Sequence, residues 1–236
     1  MKPVLGYWSV RGLGAQIRYI LKHCQVDFEE ELFPQTFDEN AEGYDRWNRD
    51  EWMKRKFELG LDFPNLPFFI DGDVKLVQAS AIQRYICHKW KPELLGRTPT
   101  EVGYAAMLEG QLSDLNGALD KIAFFPDGTR EALKECTQTR LEPIYKFLGE
   151  KPFLVGEHVT FVDFVLFEML VRCRVLSVVL HCFLLSSAYL LTIRTIPLLC
   201  PSNRKSVNMS TSGMVHSWPY IHYLECSTRV WRRYLT

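Results

Sequence analysis

Residues 63–67 read Phe63-Pro64-Asn65-Leu66-Pro67 and stand directly ahead of the apolar run Phe68-Phe69-Ile70. This stretch decides the fold, because Pro67 cannot donate a hydrogen bond within a sheet and the Leu66–Pro67 bond is of a type that becomes cis at modest cost. The peptide groups of Asn65 and Leu66 can therefore turn outward at the start of a strand. We expect this exposed backbone to pair with a ligand that has a peptide backbone of its own.

The sequence upstream of this stretch predicts a β-α-β unit. A short apolar strand, Val4-Leu5-Gly6-Tyr7-Trp8, is followed by the loop of residues 11–14 and by an amphipathic helix over 15–24. Phe28, Glu30 and Leu32 then follow at alternate positions and predict a second strand. The two strands should be parallel. Tyr7 stands where the first strand ends, the edge at which open α/β sheets bind their ligands.

The sequence downstream predicts an antiparallel hairpin and then a helix. The stretches Phe68-Phe69-Ile70 and Val74-Lys75-Leu76-Val77 lie on either side of the turn Asp71-Gly72-Asp73. Ser80-Ala81-Ile82-Gln83 matches a capping box, so free backbone N–H groups near residues 78–81 should be able to bind a carboxylate. A capping box also serves simply to start a helix, and this alternative stays open.

Composition narrows the class of partner. The chain has 236 residues, of which 47% are hydrophobic and 24% charged, and its 28 basic residues equal its 28 acidic residues in number. Such a balance attracts neither nucleic acid nor an anionic membrane. The seven cysteines include no C-x-x-C pair, and no histidine cluster has metal-ligand spacing. We expect a cytoplasmic protein with reduced thiols, no metal and no secretion signal.

Single residues allow two interpretations. A strand tyrosine such as Tyr7 is more often a packed aromatic residue than a catalyst. Trp52 and Lys56 lie four residues apart on one helical face, with Arg49 a turn earlier, and this spacing suits the binding of a carboxylate. The same residues otherwise form an ordinary charged, solvated face.

Taken together, the motifs resemble those of mu-class glutathione transferases. The similarity covers residues 1 to about 176 and includes Thr160-Phe161-Val162-Asp163-Phe164, a capping box like that of the family's C-terminal domain. The other matching motifs are Leu5-Gly6-Tyr7-Trp8, Arg11-Gly12, the stretches 52–56 and 57–67, and the helix start led by Gln78.

The resemblance implies an α/β plus all-α fold. A thioredoxin-like, glutathione-binding domain would span residues 1–90, a linker 91–98 and a helical domain 99–236, and the protein would be a cytoplasmic homodimer. Its implied activity is conjugation of the glutathione thiolate to small hydrophobic electrophiles, with glutathione as co-substrate and no cofactor. The alternative is a poorly active variant that binds glutathione or apolar ligands.

The resemblance also implies residue roles. Tyr7 would be catalytic, donating a hydrogen bond to the glutathione sulfur. Asp114 would reach the ligand of the other subunit. The other glutathione-binding residues would be Trp8, Arg49, Trp52, Lys56, Asn65, Leu66, Gln78, Ala79 and Ser80. The electrophile pocket would be formed by Trp8, Leu13 and Phe124.

Two positions depart from the family pattern within the matching region. Ala79 stands where the family usually has Ser or Thr, so we expect glutathione binding to be weaker by about 0.5–1.5 kcal/mol, the value of one hydrogen bond. Phe124 stands where many mu-class enzymes have a tyrosine. Because phenylalanine lacks the hydroxyl that assists some substrates, activity toward substrates that need no acid, such as activated aryl halides, should suffer least.

A larger departure begins near Ser177. Residues 177–216 do not resemble the family, which resumes near Trp218 and stops at Thr236 without the usual tail, so the electrophile site should be more open. Three interpretations of this insert are open: a membrane span, an extra folded helix, or sequence from an alternative or mispredicted transcript. The abrupt change and return of composition favour the third.

Overall fold

The computed structural model describes residues 1–34, 36–37, 47–124 and 129–175. The described residues form two compact units that divide between Ile82 and Gln83. The predicted insert at 177–216 lies outside them, so none of its three interpretations is decided here. The helix that crosses the division, α3, spans Ala79–Trp90.

The first unit opens with the predicted β-α-β unit. Strand β1 spans Val4–Trp8, helix α1 spans Gly12–His23 and strand β2 spans Glu29–Phe33, and β1 and β2 are parallel as predicted. The helix begins earlier than predicted, at Gly12 instead of Ala15. The reason is that the Ala15 N–H already donates a helical hydrogen bond of 2.8 Å to the carbonyl of Arg11.

The predicted hairpin is also confirmed. Strand β5, Phe68–Asp71, and strand β6, Val74–Val77, are antiparallel and are joined at Gly72, whose φ of +63° suits a tight turn. Strand β5 also pairs antiparallel with β1, so the sheet has the order β2-β1-β5-β6. The Leu66–Pro67 bond ahead of β5 is cis.

Between β2 and β5 the chain forms three short elements. Strands β3, Thr36–Phe37, and β4, Trp47–Asn48, pair antiparallel with each other, and helix α2 spans Asp50–Arg55. The Asn48 Oδ1 accepts the Asp50 N–H at 2.9 Å, which satisfies one of the free donors at the start of α2.

An aromatic core holds these elements against the sheet. The Trp52 ring of α2 is stacked on Phe68, with ring centroids 6.2 Å apart, and meets the edge of Phe33 at 5.3 Å. Leu59 and Leu61 complete this buried cluster. Each fully buried side chain of this size contributes roughly 1.5–3 kcal/mol of hydrophobic stabilisation.

The capping box predicted at Ser80 is wrong. Helix α3 begins at Ala79, and the Ile82 N–H donates to the carbonyl of Gln78 at 3.0 Å. Gln78, with a φ of +73°, is therefore the residue that precedes the helix. Ser80 lies within the first turn.

The second unit is helical, as predicted. A 3-10 helix over Pro92–Leu95 precedes α4, Pro99–Phe124, α5, Arg130–Leu148, and α6, Phe161–Val175. Helix α4 packs against both α5 and α6. All residues from 161 to 170 are buried, which is typical of a helix at the centre of a bundle.

The capping box predicted at the start of α6 is confirmed. The Asp163 carboxylate accepts the Thr160 N–H at 2.7 Å and the Thr160 hydroxyl at 2.9 Å, and it also accepts the Leu154 N–H at 2.8 Å.

Within the described ranges, none of the helices combines the length and apolar character that crossing a membrane requires.

Candidate active site

Tyr7 lies in β1, one residue before the strand ends, and is only 7% exposed. Its hydroxyl oxygen accepts a hydrogen bond of 3.1 Å from the backbone N–H of Leu13, in the first turn of α1. A hydroxyl that accepts a hydrogen bond is polarised toward donating its own proton. Tyr7 is therefore joined to the start of α1 through its hydroxyl as well as buried through its ring.

Two glycines make room for the Tyr7 side chain. A Cβ atom added to Gly12 would lie 2.7 Å from the Tyr7 hydroxyl oxygen, and one added to Gly14 would lie 2.6 Å from Cδ1 of the ring. Gly12 also has a φ of +36°, a conformation that side chains disfavour. The start of α1 approaches the Tyr7 ring this closely because both residues lack a side chain.

Polar side chains hold the segment between β1 and α1. Arg11 donates from Nη2 to the hydroxyl of Tyr19 at 2.6 Å, and Arg18 donates from Nη1 to the carbonyl of Val10 at 3.4 Å. Arg18 also forms an ion pair with Glu30 of β2 through its Nε. These contacts join the turn that carries the Leu13 N–H to both α1 and β2.

The segment that opens β5 presents Asn65 at the surface and Leu66 half-buried against the aromatic core. The Leu66 N–H, predicted to be open to a ligand, donates to the Asn65 Oδ1 at 2.9 Å. A ligand that pairs with this N–H has to displace the Asn65 oxygen.

The predicted carboxylate-binding residues of α2 have different surroundings. Arg49 is exposed just before the helix, and Lys56 is half-buried, with its Nζ 4.9 Å from the ring centroid of Phe57. Trp52 is 6% exposed and belongs to the aromatic core. Its ring therefore fixes α2, and with it the two cations, against the sheet.

The predicted residues at the start of α3 form a helix N-terminus. Gln78 and Ser80 are exposed and Ala79 is half-buried. Because the Ile82 N–H is the first to find a helical acceptor, the N–H groups of residues 79–81 precede the helical hydrogen-bond pattern. Such groups favour an anion.

The predicted pocket residues are only partly described. Trp8 and Leu13 are half-buried in the first unit, where the Trp8 ring meets the edge of Phe33 at 6.5 Å. Asp114 is exposed on α4 in the second unit. Phe124 ends α4, and its side chain lies outside the described residues.

The sequence did not reveal Gly14, Arg18 or Glu30 as parts of the site. Arg18 follows the buried Ile17 in α1 and would be taken for a surface residue, although it is only 6% exposed. The only feature of the sequence that points to this burial is an arginine one residue from the apolar face, followed by acidic residues in the next strand.

In the described part of the chain, no three His, Cys, Asp or Glu side chains cluster as metal ligands.

Several known proteins are similar to this chain in sequence. The family models described as Glutathione S-transferase, N-terminal domain, and Glutathione S-transferase, C-terminal domain, match residues 3–88 and 113–179. The chain is 41% identical over 180 residues to the glutathione S-transferase of Tyrophagus putrescentiae, covering 74% of this chain and 77% of that protein. It is 40% identical over 174 residues to the glutathione S-transferase class-mu 26 kDa isozyme of Schistosoma japonicum, covering 72% of this chain and 73% of that protein.

Solved structures share the fold. The crystal structure of the glutathione S-transferase Blo t 8 matches with a TM-score of 0.70 at 29% identity, covering 82% of this chain and 88% of that chain. The fold is thus a thioredoxin-like domain with a mixed sheet, followed by a helical domain. The chain belongs to the glutathione S-transferase family and, within it, to the mu class. It is accordingly a transferase, and the alternative of an impaired binding variant is not favoured.

Proposed function

We propose that this protein conjugates reduced glutathione to small hydrophobic electrophiles, with Tyr7 stabilising the glutathione thiolate. The observation that carries the proposal is the hydrogen bond of 3.1 Å from the Leu13 N–H to the Tyr7 hydroxyl oxygen. This bond fixes the direction of the hydroxyl and strengthens it as a donor to sulfur.

One hydrogen bond from the Tyr7 hydroxyl to the glutathione sulfur is strong enough to lower the pKa of the thiol. A free thiol has a pKa of about 8.5, and lowering the pKa by one unit requires about 1.4 kcal/mol of preference for the thiolate. A hydrogen bond to a charged group contributes about 1.5–3 kcal/mol. Tyr7 alone can therefore lower the thiol pKa by one to two units, enough to populate the thiolate at neutral pH.

The chemical step itself is simple. The thiol releases its proton to solvent, and the thiolate sulfur forms a bond to the electrophilic carbon. With an aryl halide, the carbon–halogen bond then breaks and the halide leaves with the bonding electrons. Because both reactants are held in one site, proximity and thiolate formation supply the rate enhancement.

Glutathione would lie along the edge of the first unit. Its cysteinyl backbone would pair with Leu66, displacing the Asn65 oxygen, and its glycyl carboxylate would meet Arg49 and Lys56. The Trp52 side chain supports that end from the core. The γ-glutamyl end would meet Gln78 and the N–H groups of residues 79–81, which favour an anion.

Within the first unit, the electrophile would contact the apolar side chains of Trp8 and Leu13. Asp114 would reach the γ-glutamyl amine of the ligand in the partner subunit of a homodimer. We further propose that the enzyme acts in the cytoplasm and that glutathione is its co-substrate, with no cofactor and no metal.

Replacing Tyr7 by phenylalanine tests the proposal. Conjugation of glutathione to an activated aryl halide should be at least about tenfold slower in Tyr7→Phe, with glutathione affinity little changed, because the ring stays and the thiolate loses its donor. Tyr104→Phe is the matched control, since Tyr104 is 43% exposed on α4. An unchanged rate in Tyr7→Phe would reject Tyr7 as the thiolate stabiliser.

A further inference from the structure

Arg18 of α1 is an arginine in the interior of the first unit, and its side chain is only 7% exposed. We propose that Arg18 is a positioning residue, whose guanidinium holds residues 10–14 so that the Leu13 N–H stays on the Tyr7 hydroxyl. This role rests on the function proposed above, because it acts through Tyr7 and not on the substrate.

The contacts of Arg18 surround the turn that carries the Leu13 N–H. Its Nη1 donates to the carbonyl of Val10 on the near side of that turn, at 3.4 Å. On the far side, a Cβ atom added to Gly14 would lie 2.9 Å from the same Nη1 and 2.6 Å from the Tyr7 ring. The guanidinium and the Tyr7 ring thus both lie close to Gly14. Leu13 stands in the chain between Val10, which Arg18 binds, and Gly14, which has no room to move toward the guanidinium.

Glu30 fixes the guanidinium from the other direction. The Arg18 Nε is paired with Glu30 Oε1 on β2, the strand that lies parallel to β1. Because the carboxylate neutralises the guanidinium, Arg18 contributes little net field at Tyr7. Its effect on the site should therefore come from geometry.

Stability alone does not account for an arginine at this position. Burying an ion pair costs several kcal/mol of desolvation, and well-packed apolar residues are often at least as stabilising. The buried Nη2 of Arg18 also has no hydrogen-bond partner among the described residues, which adds to the cost. The planar guanidinium offers two separate nitrogens, Nε to the Glu30 carboxylate and Nη1 to the Val10 carbonyl, whereas a lysine has one nitrogen and an apolar side chain has none.

The test compares the pKa of the bound glutathione thiol in four proteins: the full-length wild type, Arg18→Met, Arg18→Lys and Glu30→Gln. The pKa is measured by titrating the ultraviolet absorbance of the thiolate in the binary complex, with glutathione affinity and circular dichroism measured alongside. We expect Arg18→Met to raise the thiol pKa by about one unit, and the pH profile of kcat/KM to move with it. Glutathione affinity should change by less than about threefold, because Arg18 does not touch the ligand.

Glu30→Gln is the matched control for the ion pair. Glutamine keeps an acceptor for the Arg18 Nε, so this variant should unfold more easily while its bound thiol keeps nearly the wild-type pKa. Charge alone would move the two variants in opposite directions, because Arg18→Met leaves the Glu30 carboxylate unpaired and Glu30→Gln leaves the Arg18 guanidinium unpaired. A thiol pKa lowered in Glu30→Gln by as much as it is raised in Arg18→Met would show that charge, not position, is responsible, and would overturn the proposal.

The remaining outcomes separate this role from the proposed function. If Arg18→Met does not fold, Arg18→Lys decides, because its one nitrogen cannot take the positions of both Nε and Nη1, so this variant should also raise the thiol pKa. An unchanged pKa in the folded Arg18 variants, with a raised pKa in Tyr7→Phe, would overturn the role of Arg18 alone. An ordinary thiol pKa in the wild type, unchanged in Tyr7→Phe, would overturn the proposed function and this role with it.

Discussion

Two polar clusters, one in each unit, differ in what their hydrogen bonds do. At the start of α6, Asp163 is fully buried and accepts bonds from the Leu154 N–H, the Thr160 N–H and the Thr160 hydroxyl. At the start of α1, the Tyr7 hydroxyl accepts the Leu13 N–H in a space kept open by glycines. The first cluster joins a loop to a helix, and the second directs one hydroxyl.

The difference separates stability from activity. Removing Asp163 leaves buried donors without their acceptor, which costs folding free energy. Removing the Tyr7 hydroxyl leaves the ring in place, takes the acceptor from one backbone N–H, that of Leu13, and removes the group that the site can donate. Mutations in the first cluster should therefore lower mainly the free energy of unfolding, and mutations in the second should lower mainly the activity. The following predictions test this comparison.

The largest effect should come from Asp163→Ala. Two buried backbone N–H groups and a hydroxyl lose their acceptor, so the free energy of unfolding should fall by about 3–5 kcal/mol. Urea denaturation measures the loss. Asp163→Asn, which keeps one acceptor oxygen, should lose about half as much. A loss below about 1 kcal/mol in Asp163→Ala would show that the loop and helix are held by other contacts.

Gly14→Ala should damage the Tyr7 cluster. The new Cβ meets both the Tyr7 ring and Arg18, so we expect a loss of about 1–3 kcal/mol in stability and at least a tenfold loss of kcat/KM. Gly103→Ala on α4 is the matched control, since a Cβ there meets nothing within 4 Å. That helical substitution should stabilise by about 0.5–1 kcal/mol. Equal activity in the two variants would contradict the close packing around Tyr7.

Ala79→Ser should strengthen glutathione binding. The added hydroxyl restores one hydrogen bond at the start of α3, worth about 0.5–1.5 kcal/mol, or roughly two- to tenfold in affinity. Ala81→Ser, two residues further along the same turn, controls for a general effect of serine. Isothermal titration with glutathione distinguishes the two, and an equal gain in both would show that the hydroxyl at residue 79 has no specific contact.

The smallest effect concerns Lys151, whose pKa is lowered from its ordinary value of 10.5 chiefly by burial, although the Asp163 charge opposes this. The folded state therefore binds the proton less tightly than the unfolded state. Stability should rise slightly with pH as the folded lysine loses its proton, until the pH passes 10.5, where both states are neutral. Urea midpoints of the wild type should show this rise and those of Lys151→Met should not. An equal slope in both would assign the rise to other groups.

Local patterns in the sequence predicted much of the fold. Alternation and turn residues predicted the parallel pair β1 and β2 and the hairpin of β5 and β6, and the capping box at Thr160 was confirmed. The loop predicted over residues 11–14 was wrong for residues 12–14, because Gly12 and Gly14 lie in the first turn of α1, where it approaches Tyr7. The capping box at Ser80 was wrong because Gln78, with its positive φ, follows β6 and the helix already begins at Ala79.

The candidate site was less predictable, because its geometry depends on contacts between elements distant in sequence. The resemblance to the mu class named Tyr7 and Leu13, but it gave Leu13 a place in the apolar pocket and not the role of donor to Tyr7. Nothing local distinguishes Arg18 from a surface arginine. Its burial depends on Glu30, twelve residues away on the neighbouring strand.

The pKa of the glutathione thiol, measured by titration in the binary complex of the wild type and of Tyr7→Phe, tests the central claim most directly. The wild type should hold the pKa one to two units below the free value of about 8.5, and Tyr7→Phe should return it close to that value. A wild-type pKa near 8.5, or an equally low pKa in both proteins, would contradict the assignment of thiolate stabilisation to the Tyr7 hydroxyl.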